Sequence, residues 1–366
     1  MIALPPGPPP RPANRVTVDD LASFRDRIDV RSPAEYADDH LPGAINLPVL
    51  DDMQRAKVGT IYAQVSAFEA RKIGAAIVAR NIADIIERHV HDKPCDWAPL
   101  VYCWRGGQRS RALVHVLNEI GFRAMQLDGG YRAYRRHVVE LLAQWPRQFR
   151  YRVVCGLTGS GKSRLITAIA AEGGQALDLE RLARHRGSLL GEIPGEPQPS
   201  QKAFESGLLD ALMQMDASRP IHVESESQRI GRLQVPDALL DSMRAAPCIR
   251  LETQKAHRVA MLADDYAHFA RDSASFSAQV APLAKLHGNN TIARWQALAD
   301  EGAVAELTAE LLDVHYDPSY ERAIRNNFPR HRQATLLHLD DPSDDSFPAL
   351  ARTLLADSLS PQPANP

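Results

Sequence analysis

Cysteine is scarce in this sequence, with four residues among 366. So few cysteines cannot build a disulfide scaffold, and their spacing matches no zinc motif, which predicts a reduced, cytoplasmic protein. Long apolar runs are also missing: the best stretch, from Ile73 to Ile86, is interrupted by Arg80 and Asp84, so we expect no membrane span. The net charge is only −2. That excludes a uniformly basic nucleic-acid coat but allows a local basic patch.

The beginning of the chain has little that could fold. The first dozen residues, MIALPPGPPPRP, are too rich in proline for the apolar core of a signal peptide, and we expect residues 1–14 to be a disordered tail. The total length suits two domains. The sequence Trp145-Pro-Arg147 marks a change of pattern, which predicts one domain over residues 15–146 and another over residues 147–366.

Short apolar strands alternate with helical segments in both parts, and this alternation predicts parallel α/β domains. The predicted strands are 27–31, 100–103 and 124–127 in the first part, and 151–155, 220–224, 248–252 and 335–339 in the second. A mostly helical region, 255–327, lies in the second part. The predicted fold is therefore an N-terminal α/β domain followed by an α/β domain with a helical C-terminal region.

The segment Val101-Tyr-Cys-Trp-Arg-Gly-Gly-Gln-Arg-Ser110 places a cysteine between a buried strand and a helix. Backbone N–H groups of the glycine-containing loop can surround the sulfur, and the positive end of the helix and a nearby guanidinium also favour the thiolate. We predict that Cys103 is a nucleophile toward sulfur, selenium or phosphorus on an anionic donor, assisted by Arg105 and Arg109. A buried structural cysteine is the alternative.

A family resemblance rests on four segments in order. Asp29-Val-Arg-Ser-Pro-Ala-Glu-Tyr36, His40-Leu-Pro-Gly-Ala-Ile-Asn46, the Cys103 loop and Leu127-Asp-Gly-Gly-Tyr-Arg-Ala133 resemble successive signatures of a rhodanese domain. The resemblance implies that Cys103 carries a persulfide or perselenide. The spacing Cys-x5-Arg is one residue longer than in the usual sulfurtransferase loop and resembles rhodanese-like phosphatases, which bind a larger tetrahedral anion. Plain thiosulfate sulfurtransferase activity is therefore not expected.

A second anion site is predicted by Gly156-Leu-Thr-Gly-Ser-Gly-Lys-Ser163, which matches G-x4-G-K-[ST] between a strand and a helix. Such a loop holds a phosphate chain on its N–H groups, with the lysine on the phosphate oxygens and the serine on Mg²⁺. The acid at the end of a neighbouring strand is Glu224 or Glu226; we take Ser163 and Glu224 as the Mg²⁺ ligands, with a solvated strand end as the alternative. The predicted diphosphate-binding residues are Gly156, Thr158, Gly159, Ser160, Gly161, Lys162 and Ser163.

Arginines stand beside aromatic residues near the predicted domain junction, and a second basic run, 181–186, follows the phosphate loop and could close over phosphates or bind nucleic acid. Arginine can neutralise phosphates while aromatic rings stack on unpaired bases, a pattern typical of binding to single-stranded RNA loops. A charged helix face is the alternative. The candidate tRNA-binding residues are Arg132, Arg135, Arg136, Arg150, Arg181, Arg184 and Arg186.

Together the two halves resemble the tRNA 2-selenouridine synthase family over about residues 15–340, and Cys-Trp-Arg-Gly-Gly is the most specific element. The resemblance implies a cytoplasmic transferase, expected to be a monomer, that acts on the wobble uridine in the anticodon region of tRNA. In such a reaction 2-thiouridine is first geranylated with geranyl diphosphate, and selenium from selenophosphate then replaces the S-geranyl group. Further matching stretches are 65–72, 177–188, 198–202, 223–231 and 315–320.

Three other functions remain open at the level of sequence. The first is a P-loop kinase or NTPase with a regulatory rhodanese module, which would consume ATP and not need Cys103. The second is a Cys-x5-Arg phosphatase module fused to an NTPase, with Cys103 as the phosphoenzyme nucleophile. The third is a tRNA-binding scaffold without enzymatic activity, for which both loops would be dispensable.

Overall fold

A computed structural model describes residues 14–267, 269, 272–343 and 345–358. The chain divides into two compact units between Glu140 and Leu141, and each contains a five-stranded sheet. The predicted disordered tail, residues 1–14, lies outside the described residues apart from Asn14. No helix in the described ranges is long and apolar enough to cross a membrane.

The first unit is built on a parallel sheet with the strand order β1-β5-β4-β2-β3. Parallel neighbours need crossover connections, which here are helices. The strands are β1 (Arg15–Val16), β2 (Arg27–Asp29), β3 (Ala44–Asn46), β4 (Leu100–Tyr102) and β5 (Met125–Leu127). The helices are α1 (Pro33–Asp38), α2 (Asp52–Gln64), α3 (Ala67–Ile85), α4 (Gln108–Ile120) and α5 (Gly130–Leu142).

Local sequence explains where the helices of this unit begin and end. Ser32 caps α1 in a capping box closed by Glu35, and Pro33 occupies the first turn. Helix α4 ends at Gly121, whose φ of 112° is in the left-handed region that glycine tolerates. Strand β4 stops at Tyr102, so Cys103 leaves the sheet and starts the loop.

The second unit has a parallel sheet with the order β12-β11-β6-β8-β7 and a separate antiparallel pair, β9 and β10. The first strand, β6, lies between β11 and β8, so the segment that follows it leaves from the middle of the sheet. The strands are β6 (Tyr151–Cys155), β7 (Gln175–Leu177), β8 (Ile221–Glu224), β9 (Arg229–Ile230), β10 (Leu233–Gln234), β11 (Cys248–Thr253) and β12 (Thr335–Leu339).

The helices of the second unit confirm the predicted helical region, 255–327. Helices α10 to α15 enclose an apolar core of their own around Trp295, Phe276 and Tyr316. The helices are α6 (Lys162–Ala171), α7 (Leu179–Ala183), α8 (Gln201–Met213), α9 (Asp237–Ala245), α10 (Lys255–Tyr266), α11 (Ser273–Val280), α12 (Ala284–His287), α13 (Asn289–Asp300), α14 (Val304–Leu311), α15 (Asp317–Asn327) and α16 (Ser346–Ser358).

Candidate active sites

The sulfur of Cys103 lies in a cradle of hydrogen-bond donors. Cys103 is 3 % exposed, and its Sγ accepts hydrogen bonds from the backbone N–H of Gly107 at 3.3 Å and the hydroxyl of Ser110 at 3.2 Å. Gly106 has a φ of 61°, and a Cβ on this residue would lie 2.6 Å from the backbone oxygen of Leu127. The turn therefore requires glycine there. Donors at these positions would stabilise negative charge on the sulfur.

A side chain from the neighbouring strand holds this loop in shape. Gln126 on β5 is 1 % exposed, and its Nε2 donates to the carbonyls of Gly106 at 2.9 Å and Gly107 at 3.0 Å and to Ser110 Oγ at 2.8 Å. Neither Ser110 nor Gln126 was predicted as a site residue. The small polar residue at the start of α4 was a usable signal for Ser110, whereas Gln126 becomes visible only once β5 pairs with β4.

The two arginines predicted to assist Cys103 occupy different environments. Arg105 is exposed. Arg109 donates from Nη1 to Glu35 at 2.8 Å, and Glu35 also pairs with Arg55 at 2.8 Å. Burial would raise the pKa of Glu35, but the hydrogen bond and charge of Arg109 hold it below its usual value. The guanidinium of Arg109 is thus held by a carboxylate beside the loop.

The Asp-Val-Arg signature of the first unit forms a buried ion pair. The guanidinium of Arg31 binds both carboxylate oxygens of Asp29, and the two residues are 1 % and 0 % exposed. The Arg31 guanidinium also lies 4.0 Å from the ring centroid of Tyr131. Tyr131 donates its backbone N–H to the carbonyl of Cys103. This part of the family pattern therefore supports the position of the cysteine.

The phosphate loop connects β6 with α6, as predicted. Lys162 is 8 % exposed and donates from Nζ to the carbonyls of Gly156 at 2.9 Å and Leu157 at 3.1 Å. Gly159 and Gly161 have φ values of 75° and 90°, which explains the glycines of the motif. The ammonium group thus lies inside the curve of the loop.

Two side chains from outside the motif support the phosphate loop. Thr253 donates its hydroxyl to the carbonyl of Ser160 at 2.9 Å. Arg258 on α10 is 4 % exposed, donates from Nε to the carbonyl of Thr158 at 2.9 Å, and binds both carboxylate oxygens of Asp317 on α15. The loop is therefore fixed to the helical region by a buried ion pair.

Acidic side chains surround the end of the loop. The hydroxyl of Ser163 donates to Glu180 at 2.5 Å, and the backbone N–H of Glu180 donates to Glu224 at 2.8 Å. Burial, followed by the charge of Glu180, raises the pKa of Glu226 to about 8, and burial and nearby carboxylates raise the pKa of Glu224. Glu180 is the acid in direct contact with Ser163, and sequence reasoning did not single it out, although it lies in the matching stretch 177–188.

These oxygen donors fit a magnesium ion. In the described part of the chain, no three acidic, histidine or cysteine side chains converge as a ready metal cage. Mg²⁺ does not need one, because it commonly binds one or two carboxylates together with water and phosphate oxygens. A divalent cation would also relieve the repulsion that raises the pKa values of the buried carboxyls.

The phosphate loop opens into a cavity of about 240 Å³. Its lining combines the loop itself, Lys162, Glu180 and Arg186 with an apolar wall, the side chains of Met261, Leu262, Tyr266 and Tyr320. Ser188 and Asp265 also contribute to it. Phosphate-binding groups and apolar side chains thus share one cavity.

The seven arginines predicted to bind tRNA are divided between the two units, three in the first and four in the second. Arg186 pairs with Asp265 at 3.2 Å and lines the phosphate-loop cavity. Arg150 donates to the carbonyl of Ser218, and Arg181 lies 3.7 Å from Asp178. Arg132, Arg136 and Arg184 are exposed, and Arg135 is half-buried. A role in tRNA binding stays a prediction for all seven.

The fold and the two sites define a rhodanese-like domain joined to a P-loop domain, and comparisons with known proteins agree. The rhodanese-like domain family matches residues 18–137, and the tRNA 2-selenouridine synthase AAA domain matches residues 149–287. A tRNA 2-selenouridine synthase from Nitrosomonas europaea is 35% identical over 69% of this chain and 67% of its own length. The one from Shewanella sediminis is 32% identical over 87% and 84%.

This chain therefore belongs to the tRNA 2-selenouridine synthase family. Among solved structures, the N-terminal domain of a putative ATP/GTP binding protein from Clostridium difficile 630 covers 34% of this chain at 32% identity with a TM-score of 0.31.

Proposed function

We propose that this chain is a tRNA-modifying enzyme that converts 2-thiouridine at the wobble position into 2-selenouridine in two steps. In the first step the sulfur of 2-thiouridine attacks C1 of geranyl diphosphate. A C–S bond forms, the C–O bond to diphosphate breaks, diphosphate leaves, and the base releases its N3 proton to solvent. The S-geranyl group is a much better leaving group than a thiocarbonyl sulfur, which prepares C2 for the second step.

The observation that carries this proposal is the cavity that the phosphate loop shares with an apolar wall. The loop amides and Lys162 neutralise the negative charge that collects on the departing diphosphate. Ser163 and Glu180 would hold Mg²⁺, which supplies further positive charge at the same oxygens. Met261, Leu262 and Tyr266 offer a hydrocarbon surface to the geranyl chain. A nucleoside triphosphate has no hydrocarbon chain to place against this surface, whereas an isoprenyl diphosphate has one.

The second step belongs to the cysteine cradle. The thiolate of Cys103 attacks the phosphorus of selenophosphate, the P–Se bond breaks, and hydroselenide leaves. Hydroselenide attacks C2 of the S-geranylated base, and geranyl thiolate departs and takes up a proton. Water then hydrolyses the S-phosphocysteine and releases phosphate, so that the sum is S-geranyl-tRNA, selenophosphate and water giving selenouridine-tRNA, geranyl thiol and phosphate.

Attack on phosphorus is preferred over attack on selenium for two reasons. A perselenide formed directly from selenophosphate would release phosphite, because selenium in selenophosphate is already fully reduced. The Cys-x5-Arg spacing also suits a tetrahedral phosphate group better than the tighter sulfurtransferase loop does. Gly107 and Ser110 remain the donors that hold the sulfur ready for the attack.

The proposal is tested with purified chain, tRNA carrying 2-thiouridine, geranyl diphosphate, selenophosphate and Mg²⁺. Nucleoside mass spectrometry should show S-geranyl-2-thiouridine and then 2-selenouridine, and ³¹P NMR should show phosphate. Phosphite in place of phosphate would support the perselenide route. ATP turnover with unchanged nucleosides would support the kinase function instead.

The same proposal assigns the remaining partners. The tRNA is bound through its anticodon region and selenophosphate is the selenium donor. The reaction takes place in the cytoplasm, and the chain acts as a monomer.

A further inference from the structure

The first unit contains a large cavity that the two steps above do not use. It has a volume of about 900 Å³ and lies among α2, α3 and α4. Much of its lining is apolar or small, with Leu50, Val58, Gly74, Val78 and Ala112. A cavity of this size and character is typical of a site for a small organic group.

Positive charge is concentrated at the same cavity. Arg71 and Arg111 contribute to its lining together with His115 and with Arg109, whose guanidinium is paired with Glu35, and no carboxylate of the described residues lines it. An apolar interior beside basic side chains suits a hydrocarbon chain attached to a phosphate-bearing molecule. It does not suit a neutral metabolite or an acidic peptide.

The position of the cavity relates it to the cysteine cradle. Gln108 and Arg109 line it, and they occupy the first turn of α4. The next residue in that turn, Ser110, is buried and donates its hydroxyl to the sulfur of Cys103. One helical turn therefore borders both the sulfur and the apolar cavity.

We propose that this cavity holds the geranyl chain of the S-geranylated wobble nucleotide while C2 of its base lies at the cysteine cradle. This inference rests on the proposed function and adds a substrate subsite to it. The geranyl chain leaves together with the sulfur. An enzyme that keeps the geranyl chain out of water therefore gains affinity for its substrate at the site of selenation. The basic side chains then face the phosphates that flank the nucleotide.

The test uses a pair of matched substitutions on α3. Ala75 lines the cavity and is exposed, so Ala75→Trp fills the space without crowding the protein core. Ala76 is also exposed on the same helix but does not line the cavity, so Ala76→Trp is the control. Each full-length variant is given selenophosphate and tRNA that already carries S-geranyl- or S-methyl-2-thiouridine.

Wild type and Ala76→Trp should prefer the S-geranyl substrate, because burial of each methylene raises affinity roughly fourfold. Ala75→Trp should raise KM for S-geranyl tRNA about tenfold or more and leave the reaction with S-methyl tRNA unchanged. Retention of the S-methyl reaction also shows that the variant is folded. Geranylation of 2-thiouridine should be unaffected.

Three results would overturn the inference. Equal KM values of Ala75→Trp and Ala76→Trp for S-geranyl tRNA would show that the cavity does not hold the geranyl chain. Equal KM values of the wild type for S-geranyl and S-methyl tRNA would show that no subsite for the geranyl chain exists. Loss of geranylation with normal selenation in Ala75→Trp would assign the cavity to geranyl diphosphate. A wild type that selenates neither tRNA would instead contradict the proposed function itself.

Discussion

The two anion cradles of this chain stabilise negative charge in different ways. Around Cys103 the direct donors are neutral, a backbone N–H and a hydroxyl, and a neutral glutamine holds them in place. Around the phosphate loop the groups are ionisable, with Lys162 beside buried carboxyls. A single charge on sulfur can be stabilised by a few fixed dipoles. A diphosphate with a metal ion requires charges of both signs, which burial keeps strong.

The strongest test of this difference is removal of the sulfur. Cys103→Ser should lower selenation by roughly a thousandfold or more, because the hydroxyl does not become the anion that the cradle stabilises. Geranylation should continue, so S-geranyl-2-thiouridine should accumulate in tRNA, as measured by nucleoside mass spectrometry. Cys95→Ser, at an exposed position, is the control. Normal selenouridine in Cys103→Ser would rule out the assigned role.

The charged cradle should depend on its lysine. Lys162→Ala removes a positive charge at the departing diphosphate and should slow geranylation about 100–1,000-fold. Selenation of tRNA that already carries S-geranyl-2-thiouridine should survive. The exposed Lys285→Ala is the matched control, and both reactions are followed with separate tRNA substrates. Equal loss of both reactions in Lys162→Ala would mean that the loop serves folding or tRNA binding.

The neutral cradle should depend on the glutamine that holds it. Gln126→Leu leaves the carbonyls of Gly106 and Gly107 and the hydroxyl of Ser110 without their shared donor, which should slow selenation about tenfold. The geranylation rate should not change. Gln64→Leu, at an exposed position in the same unit, is the control for the substitution itself. An unchanged selenation rate in Gln126→Leu would show that the loop holds its shape without this side chain.

The smallest expected effect concerns pH and the buried acids. The pKa of Glu226 is raised to about 8, so its contribution to stability is complete below the pKa of a glutamate in the unfolded chain and is lost as pH rises through about 8. Glu226→Gln should therefore flatten the fall in thermal stability between about pH 4.5 and pH 8. Melting curves across this range measure it, with the exposed Glu301→Gln as the control.

Addition of Mg²⁺ and diphosphate should reduce the same dependence in wild type, because a cation favours the ionised carboxyls. A wild-type pH profile that matches that of Glu226→Gln would show that Glu226 titrates normally.

Sequence predicted the parts of each site that are close together along the chain. Cys103 and Arg109 are in one loop and helix start, and Lys162 and Ser163 are in one motif. Gln126 and Glu180 were not predicted because parallel strand pairing and a separate helix bring them to their partners. The short strands β1 and β7 were missed for a related reason: two or three residues carry no periodicity, and their existence depends on a neighbouring strand.

The alternation of strands and helices could be predicted because the central strands β4, β6 and β8 are short and largely buried, and β4 and β6 end where the loops that carry the chemistry begin. The apolar wall of the phosphate-loop cavity was not predicted, because Met261 and Tyr320 come from helices that are far apart in the sequence.

The ion pair of Arg258 with Asp317 has a consequence for folding during synthesis on the ribosome. A ribosome that has just finished the phosphate loop must still add about 150 residues before Asp317 is made, which takes about eight to thirty seconds at ordinary rates of synthesis. Arg258 is added about 95 residues into this interval and then waits about 60 residues more for Asp317, so the contacts that fix the loop to the helical region form last. Nascent chains of this protein therefore acquire the cysteine cradle well before they acquire a finished diphosphate site.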